Sequence, residues 1–168
     1  MNEANTFECL QCATCCRNLL ETKEGKSRGL ILTEKETGLF SPEFILPKLA
    51  VGLKEPQTIM LYQLNIKSCP HISEKNFCQI YQSRPLVCQS FPIISGAISN
   101  RCKIFAHRKV GLSYYEPFTM KTQLEANEKL EKYIQNRIRK YFKKGIKLWE
   151  YDLTKKQWNF KIQYDTPP

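Results

Sequence analysis

Four of the eight residues at positions 9–16, CLQCATCC, are cysteine: Cys9, Cys12, Cys15 and Cys16. Four more follow at Cys69, Cys78, Cys88 and Cys102. Grouped thiolates are soft anionic donors, and in sets of four they hold zinc or the iron of an iron–sulfur cluster. A C-x2-C pair turns both sulfurs toward one ion, at about 2.3 Å for zinc. Cys9, Cys12 and Cys15 extend this to C-x2-C-x2-C, the run with which bacterial ferredoxins wrap three corners of a 4Fe-4S cubane, a further cysteine there being followed by proline. Cys69-Pro70 has that shape. Consecutive side chains diverge, so Cys16 is expected to serve a second site or to bridge two metals. Eight divides into two sets of four, but spacing does not assign the sets. Cysteine is also used as a small buried hydrophobe and in disulfide frameworks. Neither use explains four cysteines in eight residues beside polar neighbours, so all eight are candidate metal ligands.

The two cysteine-bearing stretches together resemble a known family. CLQCATCC is similar to the C-x-x-C-x-x-C-C signature of the YkgJ-type cysteine-cluster family, described as a zinc- or iron-chelating domain. The downstream CPHISEKNFCQIYQSRPLVCQSFP resembles the same family's C-P…C-x-I-Y-x-x-R-P-x-x-C-x-x-F-P block, at Cys69-Pro70, Cys78, Ile80-Tyr81, Arg84-Pro85, Cys88 and Phe91-Pro92. The resemblance covers about residues 9–102 and implies metal chelation. Two positions depart from it: Ala13 stands where glycine is frequent, which tightens the loop, and Gln89 stands where arginine is frequent, which removes a donor to sulfur. A similar cluster in the bacterial flagellin lysine N-methylase keeps an enzymatic reading open.

Around the cysteines, Arg84 is expected to donate hydrogen bonds to thiolates, since nearby cations offset thiolate charge. Tyr81 reads as a core tyrosine. His71, two residues after Cys69, is a substitute ligand, but a Rieske centre needs a second cysteine–histidine pair that the chain lacks. His107, in AHRK, reads as solvated.

The 168 residues suit one domain that can bury a core without crosslinks, and the composition, 42% hydrophobic and 25% charged, is ordinary for a globular protein. No apolar run approaches the roughly 20 residues of a membrane-spanning helix, and the start of the chain lacks signal-peptide character, so a cytoplasmic protein with reduced thiols and no membrane partner is expected. The net charge of +10 counts thiols as neutral. Read as a counterweight to a thiolate cluster, the surplus weakens the case for nucleic acid. The basic run Lys129, Lys132, Arg137, Arg139, Lys140, Lys143, Lys144 and Lys147, interleaved with Tyr133, Tyr141 and Phe142, is first read as a solvated helix face, and second as a nucleic-acid surface. No nucleotide-binding glycine loop or nucleophile elbow appears.

The positioning elements follow from pattern. Residues 9–16 read as loop and 28–32 as a short strand. Thr33 with Glu36 forms a capping box for a short helix. Ser41-Pro42-Glu43 opens another, expected to run to about Val51 against the objection of Pro47. Residues 58–66 suit a strand. The stretch 69–102 is irregular, with short helices near 78–90. Thr122 and Glu125 make a second capping box, and Leu130, Ile134, Ile138 and Phe142 at four-residue steps mark a helix face stopped near Gly145. Residues 146–164 read as a hairpin, with Trp149, Tyr151 and Leu153 alternating on one arm and Trp158, Phe160, Ile162 and Tyr164 on the other. The change near 105–118 reads as a subdomain boundary.

The expectation is therefore an α+β chain: a small single domain over 1–168, with an irregular cysteine-rich metal-binding core at 9–102 and a C-terminal amphipathic helix and terminal β-hairpin at 119–168. It is expected to bind metal ions, as zinc or an iron–sulfur cluster, through up to eight thiolates. The alternatives are a metal-dependent enzyme acting on a protein substrate, such as a lysine N-methylase-like activity, and a zinc-stapled nucleic-acid module using 129–147.

Overall fold

The structure, a computed structural model, describes residues 6–23, 25–94, 96–106 and 120–168. Its strands are β1 (Glu21–Lys23), β2 (Lys26–Arg28), β3 (Leu30–Leu32), β4 (Ile45–Gly52), β5 (Thr58–Leu64), β6 (Ile93–Ile94), β7 (Ala97–Ile98), β8 (Ile146–Asp152) and β9 (Gln157–Tyr164). Its α-helices are α1 (Leu86–Ser90) and α2 (Lys121–Lys140), with 3-10 turns between. This is the mixed α and β composition expected. The chain divides into two units. A cysteine unit takes the residues up to Asn18 and from Cys69 to Leu130; a sheet unit takes Leu19–Ser68 and Glu131–Pro168. His107 and the expected boundary at 105–118 lie wholly or largely outside the described residues.

In the sheet unit an antiparallel sheet runs in the order β3-β5-β4-β8-β9. Its core gathers Leu49, Val51, Met60, Leu61, Ile146 and Leu148 against Ile138, with Tyr133, Ile134, Tyr141 and Phe142 packed alongside. The four-residue stripe is thus the buried face of α2 and the turn after it. The helix ends at Lys140, and Gly145, at φ 79°, makes the later turn into β8. It begins at Lys121, so Thr122 lies inside its first turn rather than at the cap. The Thr33 box does form: the Thr33 amide donates to Glu36 Oε2 at 2.7 Å, opening a 3-10 helix over Glu34–Leu39.

Two further expectations are corrected. The helix from Ser41 to Val51 is a single 3-10 turn, Pro42–Phe44, followed by strand β4. Pro47 removes a helix donor, while β-branched and apolar neighbours suit a sheet. Proline is tolerated in β4 beside an irregularity: the register shifts between Pro47 and Leu49, leaving Lys48 as an extra residue. The side chain of fully buried Gln63 binds this region together. Its Nε2 donates to the carbonyls of Pro47 at 2.8 Å and Tyr151 at 3.3 Å, and its Oε1 accepts from the Gly29 amide at 3.1 Å. Gly29 is required to be small, because a Cβ there would stand 1.9 Å from the Leu64 carbonyl oxygen.

The second correction concerns the hairpin. A shift between Leu148 and Trp149 makes Lys161 an extra residue on β9. Phe160 and Trp158 therefore pair with Trp149 and Tyr151, edge to face, with ring centroids 6.1 and 5.3 Å apart. Ile162 and Tyr164 pair instead with Leu148 and Ile146, on the opposite face. Alternation cannot cross a bulge unbroken, because one extra residue reverses the side to which every later side chain points. β8 also pairs with β4, so the hairpin is part of the sheet.

Among the described residues the cysteine unit has the 3-10 turn Tyr81–Ser83, α1, the β6–β7 pair around Gly96, and the first half of α2. Its apolar cluster consists of Phe7, Ile93, Phe105 and Met120, with Ile98, Cys102 and Ile104 packed against it. Among the described residues no helix is long and apolar enough to cross a membrane.

Candidate metal centre

All eight cysteines fall in the cysteine unit, although Leu19–Ser68 separates the first four from the rest. Two backbone hydrogen bonds mark the junction. Within the sheet unit the Leu19 amide donates to the Lys67 carbonyl at 2.9 Å; within the cysteine unit the Cys69 amide donates to the Cys16 carbonyl at 2.8 Å. The inserted segment thus leaves and returns at nearly one point. All eight thiols are free.

The first loop is shaped by two residues in the left-handed region, Gln11 at φ 49° and Ala13 at φ 54°. That region favours glycine, and buried Ala13 occupies it with a Cβ, which is the tightening the sequence suggested. One turn follows, closed by the Arg17 amide on the Ala13 carbonyl at 2.9 Å and by Asn18 Nδ2 on the Thr14 carbonyl at 2.9 Å. The Gln11 amide donates to Cys9 Sγ at 3.4 Å; Cys12 Sγ and Thr14 Oγ1 are hydrogen-bonded at 3.4 Å; Cys15 Sγ and Cys16 Sγ lie 3.7 Å apart.

Downstream, Cys69 and Cys78 flank a small hairpin. Ile72 pairs with Cys78, the Gln79 amide donates to the His71 carbonyl at 2.9 Å, and Asn76, at φ 67°, makes the turn. Arg17 Nη2 holds that turn through Asn76 Oδ1 at 2.6 Å. Cys88 sits on α1. Arg84 stacks on the Tyr81 ring, 3.8 Å from its centroid, and its Nε donates to the Tyr81 carbonyl at 2.8 Å. Tyr81 is 41% exposed, so it is a platform for Arg84 and not a core residue. Gln89 Nε2 donates to the Arg84 carbonyl at 2.5 Å, bracing the turn before α1.

Charge varies across these thiols. A hydrogen bond from Cys16 draws Cys15 down to about 7; burial opposes this, and the Cys16 and Cys15 amides and Arg101 assist it. Cys16 is pushed up by that same hydrogen bond, by burial, and by the charges of Cys15, Cys88 and Cys69. Burial pushes Cys12 up, but Thr14 and then Lys103 outweigh it, and the net shift is downward. Cys88 is pushed up by burial and by Cys69, Cys15 and Cys78, against Arg84. Burial also raises Cys69, against the His71 amide, and Cys102, against the Ile104 amide. Arg84 acts on Cys88 through its charge, while its Nε donates to the Tyr81 carbonyl rather than to a thiolate as expected. Arg101 and Lys103 went unnoticed in the sequence; their signal was their place on either side of Cys102, in RCK. Arg101 also donates through Nη2 to the Asn18 carbonyl.

Among the described residues no three His, Cys, Asp or Glu side chains stand ready-made around one metal position. The fit is one of donor chemistry: free thiols in one unit, with amides and cations directed at them, suit a thiophilic metal that completes its own cage on binding. A family model of the CxxCxxCC type, described as "Putative zinc- or iron-chelating domain", matches residues 8–136. The chain belongs to this cysteine-cluster family. Its metal-chelating character follows from that membership, and zinc and iron are the metals the family is described as taking. Searches of curated proteins and of solved structures found no match.

Among described residues the cysteine unit has seven Lys or Arg against four Asp or Glu, and the sheet unit seventeen against nine. Among those residues a thiolate counterweight therefore accounts for the smaller part of the positive surplus.

Proposed function

We propose that the chain is a thiolate metal-binding protein in which Cys9, Cys12, Cys15, Cys16, Cys69, Cys78, Cys88 and Cys102 hold zinc or an iron–sulfur cluster. One observation carries this reading: the fold returns the chain after Leu19–Ser68 so that both cysteine runs lie in one unit, joined between Cys16 and Cys69. The bound metal would supply the crosslinks that so small an apolar cluster lacks. Anaerobic purification, elemental analysis and an absorption spectrum test it. A colourless protein with about two zinc ions per chain selects closed thiolate sites. A brown protein with iron and labile sulfide selects a cluster. A protein free of both metals, or a Cys12→Ser variant with full metal content, sinks the reading.

A second reading rests on the sheet unit. Between residues 131 and 168 there are ten Lys or Arg against four Asp or Glu. The hairpin pairs Trp149 with Phe160 and Tyr151 with Trp158; Phe160 is 56% exposed, with Lys147 Nζ 5.9 Å from its ring centroid. Aromatic faces with nearby cations suit stacking of single-stranded nucleic acid. Arg137 does not belong to that surface, since it pairs with Glu34 at 2.8 Å and donates to the Ile59 carbonyl at 2.9 Å. Affinity for a labelled oligonucleotide should fall steeply with salt and drop in Phe160→Ala; salt-independent or absent binding removes the reading.

A further inference from the structure

The metal-binding reading leaves open how eight thiols divide, and this inference rests on that reading. We infer that they form two four-thiol sites: Cys9, Cys12, Cys15 and Cys102 in one, and Cys16, Cys69, Cys78 and Cys88 in the other, meeting at the Cys15–Cys16 peptide.

The backbone carries the first set. Phe7 stacks on Phe105 with ring centroids 6.0 Å apart. Cys102 packs against the same cluster and accepts at its carbonyl from the Phe105 amide at 2.8 Å. Cys9, two residues after Phe7, and Cys102, three before Phe105, are therefore anchored to one group of side chains. From Cys9 the left-handed residues Gln11 and Ala13 turn the loop through Cys12 to Cys15.

A different part of the backbone carries the second set. The Cys69 amide is bonded to the Cys16 carbonyl at 2.8 Å, the Ile72 amide turns back onto the Cys69 carbonyl at 3.4 Å, and Ile72 pairs with Cys78. Cys16, Cys69 and Cys78 are thus successive stations of one hydrogen-bonded path. Cys88, on α1 in the same unit, completes this set as the one thiol that neither the first group nor this path already holds. Cys15 adjoins both groups through Cys16. It belongs with the first by its place in the C-x2-C-x2-C run, and the second has its four without it. The Sγ separation of 3.7 Å between Cys15 and Cys16 makes the two sites immediate neighbours. Doubled cysteine in the sequence is then the point where one site ends and the other begins.

The test uses the full chain loaded with Zn2+ under reducing, anaerobic conditions. A chelator is titrated in, each step is pulsed with iodoacetamide, and the alkylated cysteines are mapped by tandem mass spectrometry, which separates Cys15 from Cys16. Two groups should open in turn, one of Cys9, Cys12, Cys15 and Cys102 and one of Cys16, Cys69, Cys78 and Cys88. In parallel, Cys102→Ser and Cys78→Ser should each lose about half of the zinc and the double variant all of it. Groups that mix the sets, Cys15 opening with Cys69 and Cys88, or all eight opening together overturn the division while leaving metal binding intact. A wild-type chain that takes up no zinc and, as purified, contains no iron overturns the metal reading itself. The alkylation map needs no substitution, so it decides the matter even where a serine variant fails to fold.

Discussion

Among the described residues the sheet unit buries seven apolar side chains in one cluster, from Leu49 to Leu148, and locks its strands with the three hydrogen bonds of Gln63. The cysteine unit buries four, Phe7, Ile93, Phe105 and Met120, and α1 and its strands are no longer than five residues. Burial at about 25 cal/mol per Å² can order the first; among the described residues the second has the smaller apolar cluster and the more irregular backbone. On the proposed metal-binding reading, the difference separates two sources of order in one chain: hydrophobic packing, which is present as soon as the sequence collapses, and ligation, which arrives with the metal.

Metal removal is the strongest way to break that comparison. Structural zinc contributes about 10–16 kcal/mol in small domains, as much as a whole domain's stability. Chelation is expected to abolish hydrogen-exchange protection at 69–106 and to leave 58–64 and 146–152 protected. Equal loss in both regions would show that the sheet unit leans on the metal too.

The reciprocal experiment is Leu61→Ala, which removes a side chain 1% exposed at the centre of the sheet. It should cost about 2–5 kcal/mol in denaturant unfolding. Zinc stoichiometry at low temperature should stay at the wild-type value; a parallel loss of metal would join the two sources of order into one.

A smaller effect sharpens the picture inside the sheet unit. Lys48, the extra residue of β4, is 5% exposed and reaches Glu150 Oε1 with its Nζ at 2.7 Å. Burial pushes the Lys48 pKa down and the Glu150 partner only partly restores it. Burial pushes Glu150 up, but the Lys48 hydrogen bond and charge, with Lys161 and Arg28, bring it below the ordinary 4.5. A carboxylate lowered on folding contributes stability above its unfolded pKa and loses it as pH falls through the folded one. The sheet unit should therefore weaken below about pH 4.5, and Glu150→Gln should remove that part of the acid dependence at a cost near neutral pH of about 1.5–3 kcal/mol. An unchanged acid profile in the variant would assign the loss to other carboxylates.

The smallest effect belongs to the first cysteine loop. Ala13→Gly relieves a left-handed backbone and should gain about 1 kcal/mol in the metal-loaded protein. A loss would mean that the buried Ala13 methyl packs for more than the strain it carries.

Much of this was legible without coordinates. The Thr33–Glu36 box, the face of α2 and the strand at 58–64 depend on residues a few positions apart, so spacing and turn chemistry reveal them. The helix expected after Ser41 failed because apolar residues around Pro47 suit either period, and only pairing with β5 and β8 on both sides makes β4 a strand. The aromatic alternation failed at Lys161, because a bulge has no local sequence signature. Arg101 and Lys103 stayed hidden because their target thiols lie more than eighty residues away in the chain.

By itself the sequence determined that eight thiols are present, that three follow a metal-binding spacing, and that a fourth is set directly beside them; covalent geometry and residue chemistry suffice for that. Only the tertiary structure decided that the segment between the two cysteine runs closes on itself, returning Cys69 to Cys16. It also decided that most of the basic surplus among the described residues lies on the unit without the thiols. Both depend on which distant strands pair and in which register, and that choice comes from packing summed over the whole sheet rather than from any short stretch of chain.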